Sequence, residues 1–174
     1  VDLESFCLPQ EQIDAALEGL DPTFVAALEK AAAQIREFHE REVEQSWFTT
    51  RADGTMLGVK VTPLAAAGIY VGGRAQYPST VLMNAIPAKV AGVKRVVMVT
   101  PPQKDGLISP YTVAAAKLGG VDEVIFGHFD HEMQHMDWRD FIHKLLIGRF
   151  NAGWIISGRN NRFGYKGQGN AEGM

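Results

Sequence analysis

The chain has 174 residues, 46% of them apolar and 21% charged, the balance of a soluble globular protein with one domain or one large unit plus an appendage. Its 17 basic and 20 acidic residues are interspersed and leave a formal charge of -3, so electrostatics gives no case for a nucleic acid or membrane partner. No apolar run approaches the roughly 20 residues of a membrane span, the opening VDLESFCLPQ has no leader pattern, and the single cysteine, Cys7, fits a reducing cytoplasmic setting.

In chain order, residues 9–46 read as helix. Leu17, Leu20, Phe24, Leu28, Ala31, Ile35 and Phe38 recur at three- and four-residue steps and share one helical face. Asp21-Pro22 interrupts the pattern as a cap followed by a first-turn proline, which predicts two helices, 10–19 and 22–46. The second ends in a run of charge (Arg36, Glu37, Glu40, Arg41, Glu42, Glu44), suited to solvent or to another subunit. Residues 51–76 are turn-rich, with Asp53-Gly54 and Gly72-Gly73 around two extended pieces at 56–62 and 67–71. A regular alternation follows: helix 78–91 and strand 94–99, helix 109–118 and strand 122–126, helix 137–149 and strand 153–157. Each strand is short, apolar and β-branched, as strands buried on both faces are. Pro87 is expected to kink its helix. The residues after 157 are Gly- and Asn-rich and read as loop. Alternating β and α units predict a parallel sheet with right-handed crossovers. The expected fold is therefore α/β, a Rossmann-like parallel sheet with helices on both faces. A helical N-terminal arm (1–50) precedes an α/β domain (51–174).

On the residues alone, the sheet carries no claim to catalysis. There is no G-x-G-x-x-G turn. Gly72-Gly73-Arg74 reads either as a backbone-and-cation cradle for a phosphate or as a tight turn beside the sheet. Asn84 and Lys89 read as structural or solvated.

The run YPSTVLMNAIPAKVAGVKRVVMVTPP (77–102), with GIYVGGRAQYPS before it and DGLISPYTVAAAKLGGVDEV after it, resembles histidinol dehydrogenases, as does IREFHE at 35–40. The resemblance covers about residues 1–125. It implies an enzyme that oxidises the amino alcohol L-histidinol to L-histidine with NAD and a zinc ion, as a homodimer whose subunits contribute to each other's sites. It places a nicotinamide-cofactor contact at Tyr70. The family's Tyr-Val-Pro-Gly-Gly is here Tyr70-Val71-Gly72-Gly73, one proline shorter. From 126 onward the family's Gly-Gly-Ala-Gln segment, zinc ligands and Glu-His general bases are not found, so no catalytic residue is assigned and turnover is not expected.

From about 119 the chain resembles the bacterial FMN adenylyltransferase (FAD synthetase) module. The residues that carry it are Phe129-Asp130, Phe141-Ile142, Leu145-Leu146, Ser157-Gly158-Arg159-Asn160, Arg162-Phe163-Gly164 and Gly169-Asn170. That resemblance implies FMN or ATP as ligand, with Asn160 at the polar position of the flavin and phosphate loop. Arg162 and Lys166 read either as partners for phosphate oxygens or as solvated loop cations. The family's G-x-F-D-G-x-H-x-G-H motif is absent and its Ser-Ser-Thr-x-x-Arg element would fall after 174, so adenylyl transfer is not expected. Both families have a βα unit ending in a Leu-Gly-Val-Asp-Glu-Val-like sequence. The chain therefore reads as a chimera of two α/β proteins joined near 119–127, with a third reading as a structural hybrid that binds no ligand.

Residues 131–135, His-Glu-Met-Gln-His, match the zinc-protease motif literally. On a helix, His131 and His135 would share a face as metal ligands, with Glu132 acting on a bound water. His128 and His143 are near enough in sequence to supply a third ligand. Against a protease site, Asp137 reads as the cap of the following helix, leaving 128–136 as loop or a single turn, and the G-x-x-H continuation is missing. Capture of zinc or nickel by the histidine cluster is the milder expectation.

Overall fold

A computed structural model describes residues 7–72, 77–103, 106–126 and 131–173. It falls into two compact units, Val1–Gly127 and His128–Met174.

The first unit opens with a short helix, α1 (Gln10–Asp14), and a long one, α2 (Pro22–Glu40). The Asp21 carboxylate accepts the Thr23 N–H at 2.7 Å, and Pro22 occupies the first turn; this is the capping arrangement read from the sequence. Ile13, Leu28 and Ala32 are buried in the same core as the sheet. Both helices stop earlier than their expected ends at 19 and 46. Beyond Phe38 the α2 face offers only charge and the exposed Val43, so nothing is gained by extending it over a core. The chain instead enters a hairpin, β1 (Trp47–Thr50) and β2 (Met56–Val59), antiparallel with Thr50 opposite Met56. Gly54 turns at φ 84°, and the Asp53 carboxylate accepts the Thr55 N–H at 2.9 Å. β1 was not expected, and every residue of both strands is exposed.

The remaining strands, β3 (Ala66–Tyr70), β4 (Arg95–Thr100) and β5 (Glu123–Phe126), form a parallel sheet in that order. Helix α3 (Pro78–Val90) joins β3 to β4, and α4 (Pro110–Gly119) joins β4 to β5. The expected βαβαβ order and its boundaries agree with these elements to within a residue or two, and α3 continues through Pro87 to Val90. Ile69 pairs with Met98 and Met98 with Val124, so these side chains share a face. On that face Val96, Met98 and Val124 are buried against Val81, Leu82, Ala85 and Ile86 of α3 and Val113–Ala116 of α4. The helices approach closely where α4 has Gly119: a Cβ there would sit 2.9 Å from the Ala85 Cβ. The class is α/β with a parallel sheet. Among the described residues, however, helices cover one face and not both. Sequential strand order with right-handed crossovers places α3 and α4 on the same side. The other face presents Ala66, Gly68 and Tyr70, all exposed, Val97 and Val99, partly exposed, and Ile125, which is buried.

The second unit has a single helical turn, α5 (His131–His135), then α6 (Trp138–Asp140) capped by the Asp137 carboxylate, which accepts the Arg139 N–H at 2.8 Å. Where a regular helix was expected over 137–149, α6 passes into a wider π-helix at Phe141–Ile147, closed by bonds such as Phe150 N–H to Leu145 C=O at 3.0 Å. The strand expected at 153–157 is not formed. Among the described residues no neighbouring strand pairs with it, and Trp154 and Ile156 stand 89% and 96% exposed. An isolated extended run leaves its backbone groups to water, so periodicity alone could not make it a strand. This unit is held by aromatic side chains. Phe163 lies 6.3 Å from Trp138 and 5.9 Å from Phe141, ring centre to centre. Phe163 and Gly169 exchange backbone hydrogen bonds of 3.1 and 2.9 Å. No described helix in either unit is long and apolar enough to cross a membrane.

Candidate functional site

In a parallel α/β sheet the strand carboxyl ends and the following helix N-termini face one edge, where ligands bind. Here that edge is built from Tyr70, Val71 and Gly72 after β3, Thr100 to Gln103 after β4, and the starts of α3 and α4. Tyr70 ends β3 opposite Val99, and the next residue extends the ladder, Val71 N–H to Val99 C=O at 3.0 Å. The backbone at Tyr70 is thus fixed by the sheet, while its side chain is 70% exposed on the uncovered face. Gly72 has open space where a Cβ would stand, whereas Gly73 and Arg74 of the segment read as either a phosphate cradle or a tight turn lie outside the described residues.

One polar group at this edge was not singled out in the sequence. Ser109 occupies the cap position of α4 and is buried, yet its Oγ caps no N–H and has no hydrogen-bond partner. Pro110 at the first helical position does not account for this, because a capping oxygen accepts from the second or third helical N–H, as Asp21 does from Thr23 behind Pro22. The signal was present in Ser-Pro at a helix start, but burial of the hydroxyl is a tertiary fact.

Charge elsewhere in this unit is structural. Lys89 Nζ lies 2.5 Å from the Asp122 carboxylate, which also accepts the Val96 N–H at 2.7 Å. Arg95 forms a two-pronged pair with Glu123, at 2.7 and 2.9 Å. Asn84 donates to the Thr80 carbonyl of its own helix at 2.8 Å. A groove of about 680 Å³ between α2 and α3, lined by Phe24, Leu28, Ile35, Phe38, Leu82 and Met83 among others, is mostly apolar and is lined by no lysine or arginine.

In the second unit, Asn160 and Arg162 are exposed on a turn held by Asn161 N–H to Gly158 C=O at 2.9 Å and Asn161 Nδ2 to Ser157 Oγ at 2.9 Å. Arg162 reaches only the Asn161 carbonyl, at 3.4 Å. Lys166 adopts a left-handed backbone at φ 51°, its ammonium 5.1 Å from the centre of the Tyr165 ring. The loop is therefore positioned by Phe163 and Gly169 and presents three cations, Arg159, Arg162 and Lys166, to solvent.

His131 and His135 do lie one turn apart. Their rings stack at 3.9 Å, His135 stacks in turn on Tyr165 at 4.8 Å, and His135 Nδ1 is 2.8 Å from the His131 carbonyl oxygen. Two imidazoles are half of a tetrahedral set. Among the described residues no three His, Cys, Asp or Glu side chains converge, and His128 lies outside them. The described residues do not fit a catalytic zinc centre.

The fold and this edge define a parallel α/β unit. The histidinol dehydrogenase family model matches residues 1–127, and the FAD synthetase model matches 94–174, so both describe the stretch 94–127. The chain belongs to the histidinol dehydrogenase family, with a FAD synthetase-like segment joined through that shared stretch. The second match begins earlier than the resemblance read from about 119. Histidinol dehydrogenase from Heliobacterium mobile is 53% identical over 125 residues, covering 71% of this chain and 29% of that protein. The Bacillus subtilis enzyme is 54% identical over 121 residues, covering 68% and 28%. A crystal structure of histidinol dehydrogenase from Elizabethkingia anophelis matches with TM-score 0.65 and 30% identity, over 70% of this chain and 28% of that one. The chain thus spans less than a third of the length of these relatives.

Proposed function

We propose that the chain is a histidinol dehydrogenase-type fragment that retains an NAD contact at Tyr70 and does not turn over L-histidinol by itself. The observation that carries this reading is the family match over 1–127, within which Tyr70 ends β3 at the carboxyl edge with its ring open to solvent. NAD supplies a hydride acceptor when bound; the chain would supply position, through a side chain whose backbone is fixed by the Val99 ladder. Residues 128–174 follow the other family model, and no acid, base or zinc set is assigned there. Thermal melting with NAD tests the reading: ligand at about a hundred times its dissociation constant stabilises a binding-competent fold by about 2.7 kcal/mol. The shift should vanish in Tyr70→Ala, and NADH should not accumulate with L-histidinol. An unmoved melt removes NAD from the reading; NADH formation removes the lack of turnover. The homodimer and the cytoplasmic setting belong to the same reading, and sedimentation checks the first.

A second reading is favoured by the FAD synthetase match and by the loop clamped between Phe163 and Gly169, with Asn160, Arg162 and Lys166 at its surface. It is a flavin or nucleotide contact without adenylyl transfer. FMN or ATP would then shift the melt, and Asn160→Ala or Arg162→Ala would reduce that shift.

A further inference from the structure

The groove of about 680 Å³ between α2 and α3 lies within the roughly 300–1,000 Å³ of small-molecule sites. Its α2 wall is an apolar stripe that runs from Phe24 through Ala31 to Phe38. Leu82 and Met83 line it from α3, the first fully buried and the second 64% exposed. Phe24 and Phe38 are separated by about 21 Å at the rise of a helix, so the wall offers the length of a long alkyl chain.

At the Phe24 end lies a second space of about 310 Å³, lined by Asp21, Phe24, Pro78 and Tyr111. Phe24 and Pro78 line both spaces, which makes the two neighbours. The Phe24 and Tyr111 rings meet edge to face, their centres 4.8 Å apart and their planes at 74°. Two aromatic rings beside a carboxylate suit an organic ammonium ion, which is attracted to the ring faces and to the opposite charge.

Charge decides which head group fits. No lysine or arginine lines either space, so a carboxylate or phosphate head would meet no such cation. At the far end the His39 ring is held by the Glu42 carboxylate at 2.5 Å. The formal charge at the head end is the negative one of Asp21.

We propose that the two spaces form one site for a long-chain alkylammonium ion. The ammonium lies at Asp21, Phe24 and Tyr111, and the chain follows the stripe towards Phe38. The site shares no residue with the Tyr70 contact and requires no NAD, so the two readings can fail separately.

Calorimetric titration of the 174-residue chain with dodecylammonium, kept below its micelle-forming concentration, should show one saturable site. Dodecanoate should bind roughly tenfold more weakly or worse. Asp21→Asn keeps a capping oxygen and should weaken dodecylammonium about fivefold, the worth of a partly exposed ion pair. Met83→Lys, at a position already open to solvent, should weaken dodecylammonium and strengthen dodecanoate. Ala31→Trp, which fills the groove, should remove binding of both. Glu29→Gln, an exposed carboxylate of α2 that lines neither space, should change nothing. Uptake without saturation, equal binding of dodecanoate, or an affinity indifferent to Asp21→Asn and Met83→Lys overturns the proposal. So does a dimer in sedimentation that Met83→Lys dissociates, since a second copy of the chain would then occupy the groove.

Discussion

The Lys89 ammonium lies 2.5 Å from the Asp122 carboxylate, fastening the last turn of α3 to the start of β5. Burial pushes the Asp122 carboxyl up, but Lys89 and the Val96 N–H outweigh it and hold the group below the usual carboxylate range. A carboxylate depressed in the folded state contributes stability above its unfolded pKa of about 3.9 and loses it as pH falls through the folded value. Glu123, lowered chiefly by its bond to Arg95, acts in the same direction. Urea midpoints should therefore be flat near neutrality and fall below about pH 4. Asp122→Ala should lower stability by about 1–2 kcal/mol, since it orphans the Val96 N–H while the ion pair itself is partly screened by solvent. An unchanged midpoint at neutral pH would mean the fastening is idle.

The α3–α4 contact sets a steric limit. Gly119→Val inserts atoms where Ala85 already sits at 2.9 Å from a Cβ position. Overpacking of this kind costs about 1–3 kcal/mol. Leu82→Ala, removing a fully buried side chain, should cost about 2–5 kcal/mol. Chemical denaturation followed by far-ultraviolet dichroism measures both, and a loss under half a kilocalorie for either would contradict the packing described.

Much of the first unit was legible because its elements bury their own pattern. The cap at Asp21 and the βαβαβ order follow from local chemistry and from apolar runs that find a partner, and the Asp137 cap of the second unit is local in the same way. Legibility failed where pairing is not local. Trp47–Thr50 is a strand only because Met56–Val59 folds back on it, with the Phe48 ring 2.4 Å from where a Cβ on Gly58 would stand. Residues 153–157 have the pattern of a strand and no described neighbour to pair with. Of the candidate site residues, Tyr70 was proposed through resemblance, Ser109 was not singled out, and His131 and His135 were placed on one face by spacing alone.

Gly164 should be the residue least tolerant of change in the second unit. Its φ is 72°, and a Cβ there would stand 2.5 Å from that of Trp138. Gly164→Ala combines a left-handed strain with a clash against backbone. Proteolysis should then cut 128–174 while sparing the first unit; equal resistance of variant and parent would refute this.

Nickel capture is expected from the stacked imidazoles. A weak two-ligand site on α5 retains the chain on immobilised nickel, and His131→Ala with His135→Ala should abolish retention, whereas His143→Ala should not. Retention surviving the double change would place the site elsewhere.

The tryptophans carry a spectroscopic consequence. There are three, at positions 47, 138 and 154. Trp47 is 54% exposed on the hairpin, Trp154 is nearly bare, and neither touches the core around Leu82 and Met98. Trp138, packed by Phe163 and Gly169, has a more enclosed environment to lose on unfolding than either. Indole emission should therefore report chiefly the melting of residues 128–174, with a smaller contribution from Trp47, whereas dichroism follows the parallel sheet, so recording the two side by side distinguishes the two units.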